Sequence, residues 1–323
     1  MRTNHFFRNI YLTTYKCSSL VFRKKMKSMN TITRSVIYLF LSTVLLSCEK
    51  NVTVKVPEAS EEIVVEGRIE TGLNPIVLLT KTLPFFGEIS TSEIFQNTVL
   101  GATVIVSNGS TIDTLTQIPN IGVYTTSGIT GIPGETYNLT VIAQGKTLHS
   151  VTTIPYPVKL DSVWWKPDGN RDSLGFAWAH LTDPDTIGNN YQWAARRINK
   201  YKFVPDKGKV KDSIFIAAPG GSFEDKFINS KSFDFSFPRG RFSFSDKDDD
   251  NNDERFFFKR GDTIIVKFSS IDRANFEFWR SEDTQVQNNG NPFGSPAPIQ
   301  SNIEGGLGTW GGFAPSFDTI IAR

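Results

Sequence analysis

Cysteine is nearly absent from this chain of 323 residues. Only Cys17 and Cys48 carry a thiol, and nothing after position 48 does. Disulfides, thiol catalysis and Cys-ligated metal centres are therefore excluded from the body that follows. Histidine is almost as scarce, with His149 and His180 alone beyond Cys48. Two are too few for a His-rich metal site. A Ser-His-Asp set is arithmetically open, but no G-x-S-x-G elbow accompanies it. Each His reads more simply as a strand or loop residue, and no enzyme activity and no cofactor are expected. No apolar run reaches the ~20 residues that a spanning helix requires. A basic surface is missing too. Eight of the 35 basic residues precede Cys48 and none of the 33 acidic ones does, so the 27 that remain leave the later chain at about −6. The formal charge of +2 thus belongs to the first segment, and no nucleic-acid footprint is present.

What the first segment does contain is a targeting signal. Lys27 and Arg34 precede a short apolar run, residues 36–46, which ends in Leu45-Leu46-Ser47-Cys48. Its length suits the h-region of a cleaved signal peptide. The site lacks the A-x-A pattern of ordinary cleavage and resembles a lipobox, so Cys48 is expected to be acylated and to become the first mature residue. Residues 1–25 read as a start-site extension, 26–47 as the signal and 48–61 as a polar tether. A multiply acylated Cys48 would hold the protein to a membrane through its buried methylenes, at ~0.8 kcal/mol each.

From Glu62 the pattern is that of strands. Segments 63–69, 75–79, 102–106, 111–116, 122–126, 136–143 and 147–154 are short, β-branched and separated by turns such as Asn108-Gly109, whose residues tolerate φ > 0. Pro155-Tyr156-Pro157 marks the best internal boundary. Beyond it, segments 160–165, 173–180, 190–198, 212–218, 232–237, 241–245, 255–259, 262–269 and 317–322 again read as strands. One helix is expected over 272–287, with Asp272 as N-cap. The predicted fold is all-β: two β-sandwich-like domains of immunoglobulin or fibronectin type, 62–155 and 156–323, with one short helix in the second.

Four motifs bear on function. Gly306-Leu307-Gly308-Thr309-Trp310-Gly311 spells G-x-G-x-x-G, but no helix pattern follows it, so a dinucleotide site is rejected. The span 291–316 reads instead as an ordered loop in which Trp310 is either buried or a partner contact. The acidic run 246–254 fails the EF-hand pattern, since Asn251 stands where glycine is needed. A looser Ca²⁺ loop competes there with a solvated hairpin. Trp164 and Trp165 should point to opposite faces of one strand, one into the core and the other towards a ligand or partner. Finally, Asp-[Ser/Thr]-apolar recurs at Asp113, Asp161, Asp172, Asp185, Asp212, Asp262 and Asp318. The triplet resembles an O-glycan acceptor motif. Turn-to-strand junctions generate the same triplet.

Cys48-Glu49-Lys50, Ile63-Val64-Val65-Glu66-Gly67, Gly134-Glu135-Thr136-Tyr137-Asn138-Leu139, Asn291-Pro292-Phe293-Gly294-Ser295-Pro296 and Ser301-Asn302-Ile303-Glu304-Gly305-Gly306-Leu307-Gly308 together resemble a Bacteroidota lipoprotein family called domain of unknown function 4249. The resemblance spans the mature chain. It carries no established activity. By association it implies an accessory or binding lipoprotein of the outer membrane that works beside a TonB-dependent receptor in nutrient uptake, on a face of the membrane left open. The alternative is a structural or adhesive β-sandwich lipoprotein with no transporter partner.

Overall fold

The computed structural model describes residues 61–83, 96–169, 171–198, 214–240, 254–288 and 298–323, with Asn30, Ile32, Ser35 and Asp212 besides. The chain divides into two compact units, Met1–Glu58 and Ala59–Arg323, and all that follows concerns the second. Its described residues form fifteen strands and one α-helix, an all-β architecture.

The strands of the first half are β1 (Ile63–Glu70), β2 (Ile76–Lys81), β3 (Thr103–Ser107), β4 (Ile112–Gln117), β5 (Val123–Thr125), β6 (Thr136–Ala143) and β7 (Lys146–Thr153). Those of the second are β8 (Ser162–Asp168), β9 (Arg171–Thr182), β10 (Asn190–Arg197), β11 (Ile216–Glu224), β12 (Ser232–Ser236), β13 (Phe258–Lys259), β14 (Thr263–Ile271) and β15 (Leu307–Ile321). The helix, α1, is Arg273–Asn288. Eleven strands make one sheet in the order β11-β10-β14-β15-β1-β2-β5-β4-β3-β6-β7. A four-stranded sheet holds β9 between β8 on one side and β12 with β13 on the other.

Alternation fixes which face of each strand is buried. In β6, Tyr137, Leu139, Val141 and Ala143 point inward while Thr136 and Asn138 are exposed. Inward residues of β1 to β7 build one hydrophobic core, which Trp310 and Ala314 of β15 complete. A second core lies between the two sheets. There Leu181, Ala179 and Ala177 of β9, with Phe233 and Phe235 of β12, meet Tyr191 and Trp193 of β10 and Val266 and Phe268 of β14. Pro155-Tyr156-Pro157 lies in the chain between the residues of these cores. The large sheet nevertheless runs unbroken through both. Strand β15 pairs in parallel with β1 and antiparallel with β14. Trp310 near its start enters the first core and Ile320 near its end the second. At ~3.3 Å per residue, its 15 residues span both.

This strand corrects the sequence reading of 291–316 as a loop. Residues 291–297 lie outside the described residues, 298–306 are irregular, and the strand starts at Leu307. Glycines disguised it. Gly67 of β1 faces Trp310, and a Cβ there would lie 2.7 Å from the indole. Gly308 has φ +111°, and a Cβ would lie 1.9 Å from the Val65 carbonyl oxygen. Both glycines permit the close parallel approach of β1 and β15. Asn302 then brackets Trp310: its amide donates to the Trp310 carbonyl at 2.8 Å and accepts from the Trp310 N–H at 2.9 Å.

The helix begins where capping predicts. Asp272 Oδ1 accepts from the Asn275 N–H at 2.8 Å, a satisfied N-cap. Its Oδ2 accepts from the Gly312 N–H at 3.0 Å and from the Thr152 hydroxyl. One carboxylate thus ties α1 to β15 and β7. Phe276 packs with Ile271 and Phe313 below the helix. Beside them Lys267 donates to both oxygens of Glu70 at 2.7 Å, in a buried pair that joins β14 to β1.

Candidate functional site

Of the segments that suggested the family, the described ones, 63–67, 134–139 and 301–308, converge on the first core. The Trp310 ring is 0% exposed and donates from Nε1 to the Tyr137 carbonyl at 3.0 Å. The Tyr137 hydroxyl donates to the Thr130 carbonyl at 3.0 Å and accepts from the Ile132 N–H at 2.9 Å. Burial pushes its pKa up to about 12. Trp310 is therefore a core residue, which corrects its candidacy as a partner contact. G-x-G-x-x-G is equally structural, since it lies in a turn and in β15 and no helix follows it.

Trp164 and Trp165 separate as β alternation requires. Trp165 faces the second core, against the position where a Cβ of Gly175 would stand. Trp164 is half-buried on the outer face of the four-stranded sheet. Directly opposite it in register is Trp178 of β9. Their rings stand 6.4 Å apart and 22° from parallel. One step along, Phe176 meets Phe257 at 4.9 Å. A step the other way, register aligns Ser162, His180 and Asp234 across β8, β9 and β12. His180 Nδ1 lies 2.6 Å from Asp234 Oδ1. The carboxylate accepts, so the neutral imidazole carries its proton on Nδ1. Next comes the Thr182–Ser232 hydroxyl pair at 2.9 Å. No described strand or helix is laid across this face.

The face combines aromatic rings with a row of hydrogen-bonding groups, and it carries charges of both signs. Arg171 donates to Asp168 at 3.0 Å and lies over the Phe257 ring, and His180 meets Asp234. Lys166 rests its ammonium 4.9 Å from the centre of Trp178, a cation–π contact. Ser162, His180 and Asp234 form a row but not a triad: among the described residues no hydrogen bond joins Ser162 to His180, and no donor pair for an oxyanion stands beside the row. Sequence reading found Trp164 but missed Trp178, Phe176 and His180 as its neighbours. A signal existed, because the three occupy alternate positions of one strand and so share a face.

The other candidates fare as follows. Cys48 lies outside the described residues, as do 246–253 of the acidic run. Among the described residues no cluster of three or more His, Cys, Asp or Glu could hold a metal, and no helix is long and apolar enough to cross a membrane. Several aspartates of the repeated triplet have local partners. Asp212 forms a bidentate pair with Arg197 at 2.9 Å, Asp262 accepts from the Lys259 N–H, and Asp185 accepts from Ser230. The hydroxyl residues Thr114, Ser162, Ser173, Thr186 and Thr319 are exposed.

Fold and face together define a strand-built protein with a single described helix and an aromatic surface that no described strand or helix covers. The chain belongs to the family described as a domain of unknown function, DUF4249, which matches residues 49–316. No curated protein matches it.

Proposed function

We propose that this protein is a lipid-anchored accessory binding protein of the outer membrane, held by Cys48 and partnered with a TonB-dependent receptor. The observation that carries the binding part is the outer face around Trp164 and Trp178: paired indoles and a hydrogen-bonding row on a sheet surface that no described element covers. The lipobox at Leu45–Cys48 and the polar tether support the anchor. The partner rests on the family resemblance. The scarcity of His and Cys, and the open geometry of the Ser162–His180–Asp234 row, speak for binding over catalysis.

The experiment is purification of the tagged full chain from detergent-solubilised outer membranes. A receptor barrel should come down in stoichiometric amount, and intact mass should show an acylated Cys48. Cys48→Ala should release the body to a soluble fraction or leave an uncleaved precursor. Recovery without any barrel would favour a structural or adhesive lipoprotein, and an acylated C48A product would remove the anchor from the proposal.

A further inference from the structure

We infer that the outer face of the four-stranded sheet binds a neutral oligosaccharide, with Trp164 and Trp178 as the stacking surface and His180, Asp234, Ser162, Thr182 and Ser232 as its hydrogen-bonding row. The inference rests on the binding-protein reading above and names the ligand class.

Three observations select this class. First, the aromatic groups lie in consecutive cross-strand rows. Trp164 and Trp178 are near-parallel at 6.4 Å, and one register step along, Phe176 and Phe257 stand 4.9 Å from each other. Half-exposed indoles on a rigid sheet offer apolar surface that loses little conformational freedom on binding. Second, the adjoining row offers both donors and acceptors at regular strand spacing. Asp234 Oδ2 and His180 Nε2 have no hydrogen bond among the described residues, whereas their other polar atoms pair with each other at 2.6 Å. Thr182 and Ser232 can each donate or accept. Third, the charges do not sum to an attractive field of either sign. Arg171 is matched by Asp168, and the Lys166 ammonium and the Asp234 carboxylate are of opposite sign. A phosphate, a carboxylate-rich chain or a cationic peptide finds no complementary field here. A pyranose does find its match: C–H faces for the indoles and hydroxyls for the polar row.

Lys166 fits the same picture. Its ammonium over Trp178 occupies the position that a sugar ring would take. The side chain is exposed and can swing into water, so the ligand displaces a weak cation–π contact and not a packed group. Removing Lys166 should therefore leave binding intact or strengthen it, which is the opposite of what an anion site would do.

The test is affinity electrophoresis of the detergent-solubilised full chain through gels containing starch, laminarin, xylan or mannan, with polygalacturonate as the acidic control. Quenching or shift of tryptophan emission is the second readout. Retardation by at least one neutral polymer is expected. Trp164→Ala and Trp178→Ala should each weaken it about tenfold or more, with the thermal melt within a few degrees of wild type. Asp234→Ala should weaken it less, and Lys166→Ala should not weaken it. No retardation in any neutral gel overturns the inference. So does equal retardation of the tryptophan variants, or retardation confined to polygalacturonate and lost with Lys166→Ala. Co-purification of a receptor barrel reports on the broader proposal independently. A barrel that comes down with a protein blind to all four neutral polymers would leave the partner and discard the ligand class. If Trp164→Ala and Trp178→Ala lose the barrel but bind no glycan, the face is a protein-docking surface instead.

Discussion

Truncating Trp310 to alanine should destabilise the protein by about 3–5 kcal/mol, the usual range for a large aromatic removed from a core. The structure supplies the terms. The ring is 0% exposed, and an indole buries ~150–250 Å². At ~25 cal/mol per Å² that is about 4–6 kcal/mol, of which the remaining Ala methyl recovers a part. The bond from Nε1 to the Tyr137 carbonyl adds about 1 kcal/mol. In a unit as large as Ala59–Arg323, each kcal/mol lowers the melting temperature by about 2–4 °C, so circular dichroism should record a fall of roughly 6–20 °C. A second substitution sharpens the test. A Cβ on Gly67 would lie 2.7 Å from the indole, so Gly67→Ala should itself be destabilising by steric conflict. In the Trp310→Ala background that conflict has no partner, and most of the cost of Gly67→Ala should vanish. The two changes must therefore be strongly non-additive. A melt shifted by less than about 2 °C in Trp310→Ala would refute the reasoning, as would a Gly67→Ala cost that is equal in both backgrounds.

The buried Lys267–Glu70 pair leads to a second expectation. Glu70→Ala strands an ammonium that is already pulled below the ordinary lysine range by burial, and should cost about 3–5 kcal/mol by urea denaturation. Replacing both partners with apolar residues should cost much less, and equal losses would contradict the desolvation argument. Gly308→Ala places a Cβ 1.9 Å from a backbone oxygen at φ +111°, and is expected to abolish soluble folded protein on expression; a normal melt would show that β1 and β15 can separate. The pH dependence follows from the buried acids. Burial raises the carboxyl pKa values of Asp183, Asp262, Asp272, Glu282, Asp283 and Asp318, while Arg273 lowers that of Glu224. A carboxyl whose folded-state pKa is raised binds its proton more readily when folded. Its stabilising effect is full below the unfolded value near 4 and is lost as pH rises through the folded value. The melting temperature should therefore rise as pH falls from neutral towards about 5, and Asp272→Asn should flatten that rise. A steady fall over the same range would reverse the sign.

Local chemistry determined the strands and the helix in this sequence. Alternation in Thr136–Ala143 and in Ser232–Ser236, Asn108-Gly109 at a turn, and Asp272 ahead of Arg273–Asn288 act within a few residues. Each is legible without knowing what lies across the core. The split of Trp164 from Trp165 follows from the same two-residue period. Tertiary structure alone decided the rest. Gly308, Gly311 and Gly312 read as loop residues because strand propensity disfavours glycine. They became strand because β1, β7 and α1 approach too closely for any Cβ. The same contact made Trp310 a core residue that bridges to Tyr137, a position 173 residues away in sequence. It also let one strand serve both cores, so that Pro155-Tyr156-Pro157 separates the cores without breaking the sheet. The aromatic outer face arose the same way: Trp164, Trp178 and Asp234 come from three strands, and only the register of β8, β9 and β12 sets them side by side. A period of two tells which side a residue faces. It does not tell which strand will be its neighbour, because pairing is decided by the burial of the whole sheet.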